Sequence, residues 1–178
     1  RTFDVPSAWR GKQILLHFGA VDWKAEVWVN DVKVGEHTGG FTPFYFDITS
    51  VLNKGNNDLV VKVWDPSDRG EQPRGKQIAN PHGIWYTPVT GIWQTVWLEP
   101  VATQYITNLK TTPDIDNNSV KVEVAANTTS ADKVEVKVFD GKNLVAKGAA
   151  LNGVPVELAM PANAKLCLRT LLSSTIWK

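Results

Sequence analysis

Cysteine is almost absent: Cys167 stands alone among 178 residues, so an internal disulfide is excluded and no paired-cysteine zinc or redox motif can be drawn. Charge of one sign is also lacking. The net charge is +1 and the basic residues are scattered, which removes the electrostatic footprint of a nucleic-acid binder. No run approaches the ~18 apolar residues of a membrane span, so a membrane partner is not expected. The chain opens on Arg1-Thr2-Phe3-Asp4 without the charged-then-apolar pattern of a signal peptide, which leaves open whether a leader precedes it. Compartment stays open, with a periplasmic or secreted location the one guessed at. His17, His37 and His82 are too dispersed to define a metal site, and no cofactor is expected.

What is present is tryptophan, eight residues in a chain that is 43% hydrophobic and 21% charged. That balance supports a folded core. Tryptophan pairs a large apolar face with one N–H donor, which suits thick β cores and sugar stacking alike. The length fits two ordinary domains.

Long helical patterns are missing, and short β-rich runs take their place. Val27-Trp28-Val29 and Val32-Lys33-Val34 flank Asn30-Asp31, the signature of a tight hairpin. Further runs at Ile14 to Phe18, Leu59 to Trp64 and Thr95 to Leu98 are separated by Gly, Pro, Asn and Asp clusters, which predicts an antiparallel sandwich. Asp65 to Gly83 interrupts it, rich in charge and carrying Pro66, Pro73 and Pro81. Such a long loop inside a domain is usually functional or disordered, and it is the main site candidate. Beyond Tyr105 the texture changes to period-two alternation: Val120, Val122 and Val124, then Val134, Val136 and Val138, with Asp140-Gly141 turning into Leu144-Val145. A second sandwich is predicted there, with the boundary near Pro100 to Thr103.

The segment Val21-Asp22-Trp23-Lys24-Ala25-Glu26-Val27-Trp28-Val29-Asn30, followed by Val34-Gly35-Glu36-His37-Thr38-Gly39-Gly40-Phe41-Thr42-Pro43-Phe44, resembles the sugar-binding domain of glycoside hydrolase family 2. The likeness continues through Phe46-Asp47-Ile48-Thr49, Asn57-Asp58-Leu59-Val60-Val61 and Gly91-Ile92-Trp93-Gln94-Thr95-Val96-Trp97-Leu98-Glu99-Pro100. In that family, which includes β-galactosidases and β-glucuronidases, a jelly-roll domain is followed by an immunoglobulin-like domain and a (β/α)8 barrel that holds two catalytic glutamates. The resemblance therefore implies an all-β chain: a galactose-binding-like jelly roll over residues 1–101, N-terminally truncated, and an immunoglobulin-like sandwich over 102–178, C-terminally truncated. It implies a non-catalytic N-terminal fragment of such an enzyme, whose partners are a β-glycoside carbohydrate and the missing barrel of the same polypeptide. The alternative is a free-standing carbohydrate-binding or cell-surface interaction module.

The C-terminus departs from the family pattern. Where the family continues Trp-Ser-Pro and then Pro, Leu-Tyr, this chain reads Cys167-Leu168-Arg169-Thr170-Leu171-Leu172-Ser173-Ser174-Thr175-Ile176-Trp177-Lys178. Deleting one G from a tryptophan codon at position 167 regroups a family-like codon run into this tail. Residues 167–178 are expected to be a frameshift product that packs poorly.

Hydrolysis of a glycosidic bond needs two facing carboxylates. Asp65, Asp68 and Glu71 share one loop, but solvated loop charge is the better reading, and no catalytic residue is assigned. The substrate-binding candidates are Asp65, Arg74 and Trp85. The resemblance implies that Asp65, at the end of Val61-Lys62-Val63-Trp64, reaches into the barrel's active site to meet a substrate hydroxyl or a cation. As half of an Asp-Pro pair it reads equally as a turn residue. Arg74, Lys76 and Gln77 offer donors in the same loop. Trp85, Tyr86 and Trp93 offer a stacking face or core packing, with core packing favoured for Trp93. His82 reads as structural. Asp114-Ile115-Asp116-Asn117-Asn118 looks like a calcium loop but has Ser119 and Ala125 where glycine and glutamate belong, so a polar turn is expected. The glycosylation patterns at Asn117 and Asn127 are read as chance.

Overall fold

Asn30 and Asp31 take left-handed backbone, with φ of 49° and 63° in the computed structural model. These are the values a two-residue hairpin turn requires, and Asn and Asp are among the few residues that tolerate them. The structure describes residues 1–162 and 171–177, the latter as backbone. It divides into two compact units, Arg1–Thr103 and Gln104–Lys178.

Unit 1 is built from β1 (Thr2–Asp4), β2 (Gln13–Phe18), β3 (Val21–Asp22), β4 (Lys24–Val29), β5 (Val32–Thr38), β6 (Phe44–Asp47), β7 (Asn56–Trp64), β8 (Gly91–Ile92) and β9 (Val96–Val101). One sheet runs β1-β7-β4-β5 and a second runs β6-β2-β9, while β3 and β8 form a short ribbon of their own. All the pairings are antiparallel. Alternation along β4 turns Ala25, Val27 and Val29 inward, and Lys24, Glu26 and Trp28 outward. The inward set meets Ile14, Leu16 and Phe18 of β2, with Val21 and Ile48 beside them, in one buried core. Burying each large aliphatic or aromatic side chain there contributes about 1.5–3 kcal/mol.

On the outward face of the larger sheet, the register sets Glu26 directly opposite Glu36. Like charges so placed repel. Lys33 resolves the conflict, its Nζ lying 2.9 Å from both Glu26 Oε1 and Glu36 Oε2.

Unit 2 comprises β10 (Ile106–Asp114), β11 (Ser119–Ala126), β12 (Lys133–Asp140), β13 (Asn143–Leu151), β14 (Val156–Ala159) and β15 (Leu171–Trp177). Its sheets run β10-β11-β14 and β13-β12-β15. Val122 and Val124 face Val134, Val136 and Val138 across a buried core closed by Val156 and Leu158. This is the sandwich that the valine alternation predicts. Leu171–Trp177 pairs with β12 from Phe139 to Lys133, while the side-chain packing on which the expectation for the tail turns lies outside what the described residues show. Ladder bonds join main-chain groups, so pairing does not depend on which side chains the strand carries. Cys167, on which the frameshift reading turns, lies outside the described residues.

Candidate functional site

Between β7 and β8 the chain makes one long excursion and folds it back on itself. Asp65 opens this loop. Its Oδ1 accepts from Ser67 N–H at 2.7 Å, the self-bonding turn that Asp favours. Its Oδ2 accepts from the Thr90 hydroxyl at 2.8 Å, so the first and last loop residues are tied together. The reading of Asp65 as a turn residue is met by this side chain.

Asp68 organises the interior of the loop. Its Oδ2 accepts from Ala79 N–H at 2.9 Å, and its backbone carbonyl accepts from Arg74 Nη1 at 2.6 Å. The two limbs of the loop are joined by Tyr86 N–H to the Lys76 carbonyl at 2.8 Å and Ile78 N–H to the Tyr86 carbonyl at 3.1 Å. Gln77 Oε1 accepts from Val89 N–H at 2.6 Å.

The folded loop walls a cleft of about 430 Å³ beside the β3–β8 ribbon. Its lining includes the aromatic and apolar side chains of Phe41, Tyr86, Ile92 and Trp93 and the polar side chains of Asp22, Gln77 and Thr90. Trp93 Nε1 donates to the Gly40 carbonyl at 2.7 Å, and its ring meets Phe41 edge-on at 6.0 Å. Trp93 is 49% exposed, which corrects its expected place in the core. A short two-residue strand leads into it, so its indole lies on the rim of the sandwich, where only the N–H is satisfied by protein.

Asp22 is the acid of this cleft. The ribbon register sets it opposite Gly91, next to the Thr90 that holds Asp65. Burial, then the charge of Asp65, raises the Asp22 carboxyl above its ordinary range, while a hydrogen bond from Gln77 opposes the rise. Gly40 lies against Asp22: a Cβ there would stand 2.6 Å from Asp22 Oδ1, so no other residue fits without displacing the carboxylate.

The expected site residues are only partly gathered here. Asp65 stands one side chain behind the wall. Arg74 is half-buried with its guanidinium bound to the Asp68 carbonyl, and Trp85 is half-buried, its backbone N–H donating to the His82 carbonyl at 3.0 Å. Neither lines the cleft. Asp22, Phe41 and Gln77 do, and of these sequence reading singled out Gln77 alone. Elsewhere, His82 Nδ1 contacts the Asn80 carbonyl at 2.9 Å. Asp114 is a polar turn, its Oδ1 accepting from the N–H groups of Asp116 and Asn117.

Comparison with known proteins follows this geometry. The family model described as "Glycosyl hydrolases family 2, sugar binding domain" matches residues 1–99. A β-galactosidase of Thermoanaerobacter pseudethanolicus is 35% identical over 144 residues, covering 80% of this chain and 18% of that protein. Human β-glucuronidase is 26% identical over 162 residues, covering 79% of this chain and 25% of its own length. The solved structure of a β-glucuronidase from Ruminococcus gnavus, in complex with a C6-substituted uronic isofagomine, superposes with a TM-score of 0.74 at 25% identity, covering 99% of this chain and 32% of that one. The chain thus spans less than a third of the length of these relatives.

Proposed function

The chain belongs to glycoside hydrolase family 2 and carries that family's sugar-binding domain in residues 1–99; from that premise we propose that it is the sugar-holding, non-catalytic part of a larger β-glycosidase resembling β-galactosidase or β-glucuronidase. The observation that carries this reading is the cleft lined together by Phe41, Tyr86 and Trp93 and by Asp22 and Gln77, with Asp65 bound to the Thr90 hydroxyl. A pyranose presents C–H faces and hydroxyl edges. Aromatic rings suit the first, and carboxylates accept strongly from the second because one partner of each bond is charged. Binding pockets of this kind are mostly apolar with a few convergent polar groups.

The wider activity of the proposal, hydrolysis of an O-glycosidic bond, is assigned to a barrel domain of the same polypeptide. Asp68 is occupied by Ala79 and Glu71 is exposed, so the loop acids do not form the facing pair that glycoside cleavage needs. Two assays test the reading. The chain alone should not release nitrophenol from nitrophenyl β-glycosides, whereas methyl β-glycosides should shift the amide resonances of residues 22, 40–41 and 86–93 at millimolar concentration. Turnover that disappears in Asp65→Asn would make the chain a hydrolase in its own right. Absence of any shift would remove the sugar site.

A further inference from the structure

We infer that the cleft selects a neutral pyranoside over a uronic acid, and that Asp22 is the residue that sets this selection. The inference rests on the reading of the cleft as a sugar site and adds the ligand's charge class to it. The relatives named above do not decide the matter, because they include a β-galactosidase and β-glucuronidases.

The argument starts from what can meet a ligand's carboxylate. Among the described residues lining the cleft there is no lysine or arginine, and the one charged side chain is Asp22. The guanidinium of Arg74, in the same loop, donates to the Asp68 carbonyl at 2.6 Å and does not line the cleft. A second acid stands behind the wall: the β3–β8 register brings Asp22 opposite Gly91, and the adjoining Thr90 binds Asp65 Oδ2 at 2.8 Å. The two carboxylates are close enough that Asp65 helps to raise the proton affinity of Asp22, after burial as the larger cause. A corner that already resists one negative charge resists a second.

Asp22 lines the cleft, and a Cβ at position 40 would stand 2.6 Å from its Oδ1, so the glycine leaves the carboxylate the room it occupies; the Gly40 carbonyl is held by Trp93 Nε1. A sugar whose hydroxyls donate to Asp22 is only about 5–6 Å across, so a carboxylate at C6 cannot leave the field of the acid pair. At that range, in a partly exposed site, repulsion between unit charges amounts to roughly a tenfold loss of affinity. A hydroxymethyl group at C6 meets no such penalty and can donate.

The test uses pairs of ligands that differ only at C6. Methyl β-D-glucoside against methyl β-D-glucuronide, and the corresponding galacto pair, are titrated into the chain at pH 7.5 and low salt, with amide shifts as the readout. The neutral member should bind about tenfold more tightly, and the gap should narrow to within about threefold in Asp22→Asn and in 0.5 M NaCl, where exposed charges are screened. Folding of the variant is read from the dispersion of the same spectra. Gln77→Lys, which places a cation on the wall, should shift the order toward the uronate. Equal binding of the two members, tighter binding of the uronate, or a gap untouched by Asp22→Asn would each overturn the inference while leaving a sugar site in place. Failure of all four sugars to bind would overturn the sugar site and the inference with it.

Discussion

The hydroxyl of Thr90 donates to Oδ2 of Asp65 at 2.8 Å across 25 residues of sequence. The bond joins the two ends of the excursion between β7 and β8, and so sets the width of the gap that the loop must close. Removing it should act on the loop more than on the core. Thr90→Val is expected to cost about 0.5–1.5 kcal/mol, the net worth of one such hydrogen bond. Limited proteolysis should meanwhile cut within residues 66–89 several times faster than in the parent chain. Unchanged cleavage would mean that the interior bonds of Asp68 hold the loop without this clasp.

Gly40 and Asp22 should be energetically coupled. The Cβ of Gly40→Ala would stand 2.6 Å from Asp22 Oδ1, and forcing such an overlap typically costs 1–3 kcal/mol. If the clash with Asp22 is the cause, the double variant Gly40→Ala/Asp22→Gly should recover most of that loss, giving a coupling of about 1 kcal/mol or more in a urea-denaturation cycle. Additive losses would place the strain elsewhere around Gly40.

The parts of the fold legible in the sequence are those where one face is buried and the other wet. Asn30-Asp31 announced its hairpin through turn chemistry, and the valines of β11 and β12 announced a sandwich through alternation. β10 gave no such signal because nearly every residue along Ile106–Asp114 is exposed; its pairing is imposed by β11. The site divides in the same way. Asp65 is legible as an Asp-Pro turn at a strand end, and the family resemblance alone is what implies a role for it toward a sugar. Asp22 is not legible, because it sits in an ordinary β run and gains its meaning only when the register brings it opposite Gly91. Trp93 misled because tryptophan in a sandwich usually packs inward, whereas its N–H here is satisfied at the rim by Gly40.

Acid should weaken unit 1 through Lys33. Hydrogen bonding to Lys33 is the largest cause that lowers the carboxyls of both Glu26 and Glu36 below their ordinary value of 4.5. A lowered carboxyl contributes stability above its unfolded value and loses it as pH falls through its folded value. The contribution should thus be intact at neutral pH and vanish below 4.5. Asp22, whose carboxyl is raised, runs the other way, stabilising most in acid and losing that share as pH rises through its folded value. Urea midpoints from pH 7 down to pH 3 should fall, and the fall should be shallower in Lys33→Met. An identical slope in that variant would show that the exposed ladder contributes nothing measurable.

Asn57 is the buried polar residue of unit 1, fully enclosed at 0% exposure, and every part of its amide is used. Oδ1 accepts from Asn53 N–H at 2.7 Å and from Asn30 Nδ2 at 2.8 Å, while Nδ2 donates to the Gly55 carbonyl at 2.7 Å. Asn57→Ala deletes these bonds from a fully buried position, while the Asn53 N–H and Gly55 carbonyl belong to exposed residues that water can in part reach, so a loss of about 1–3 kcal/mol in unfolding free energy is expected. Asn30 supplies the control. Asn30→Gly keeps the left-handed turn, which glycine adopts freely, and deletes only the side chain. Asn57 Oδ1 keeps the Asn53 N–H as a partner when Asn30 is trimmed, and the Asp58 N–H that Asn30 abandons belongs to an exposed residue, so the loss should be smaller than for Asn57→Ala. If the two amides act as one unit, Asn30→Gly should cost less in the Asn57→Ala background than alone. Strict additivity would mean that the turn and the start of β7 are held independently, and that the burial of Asn57 serves the Asn53-to-Gly55 bend rather than the hairpin.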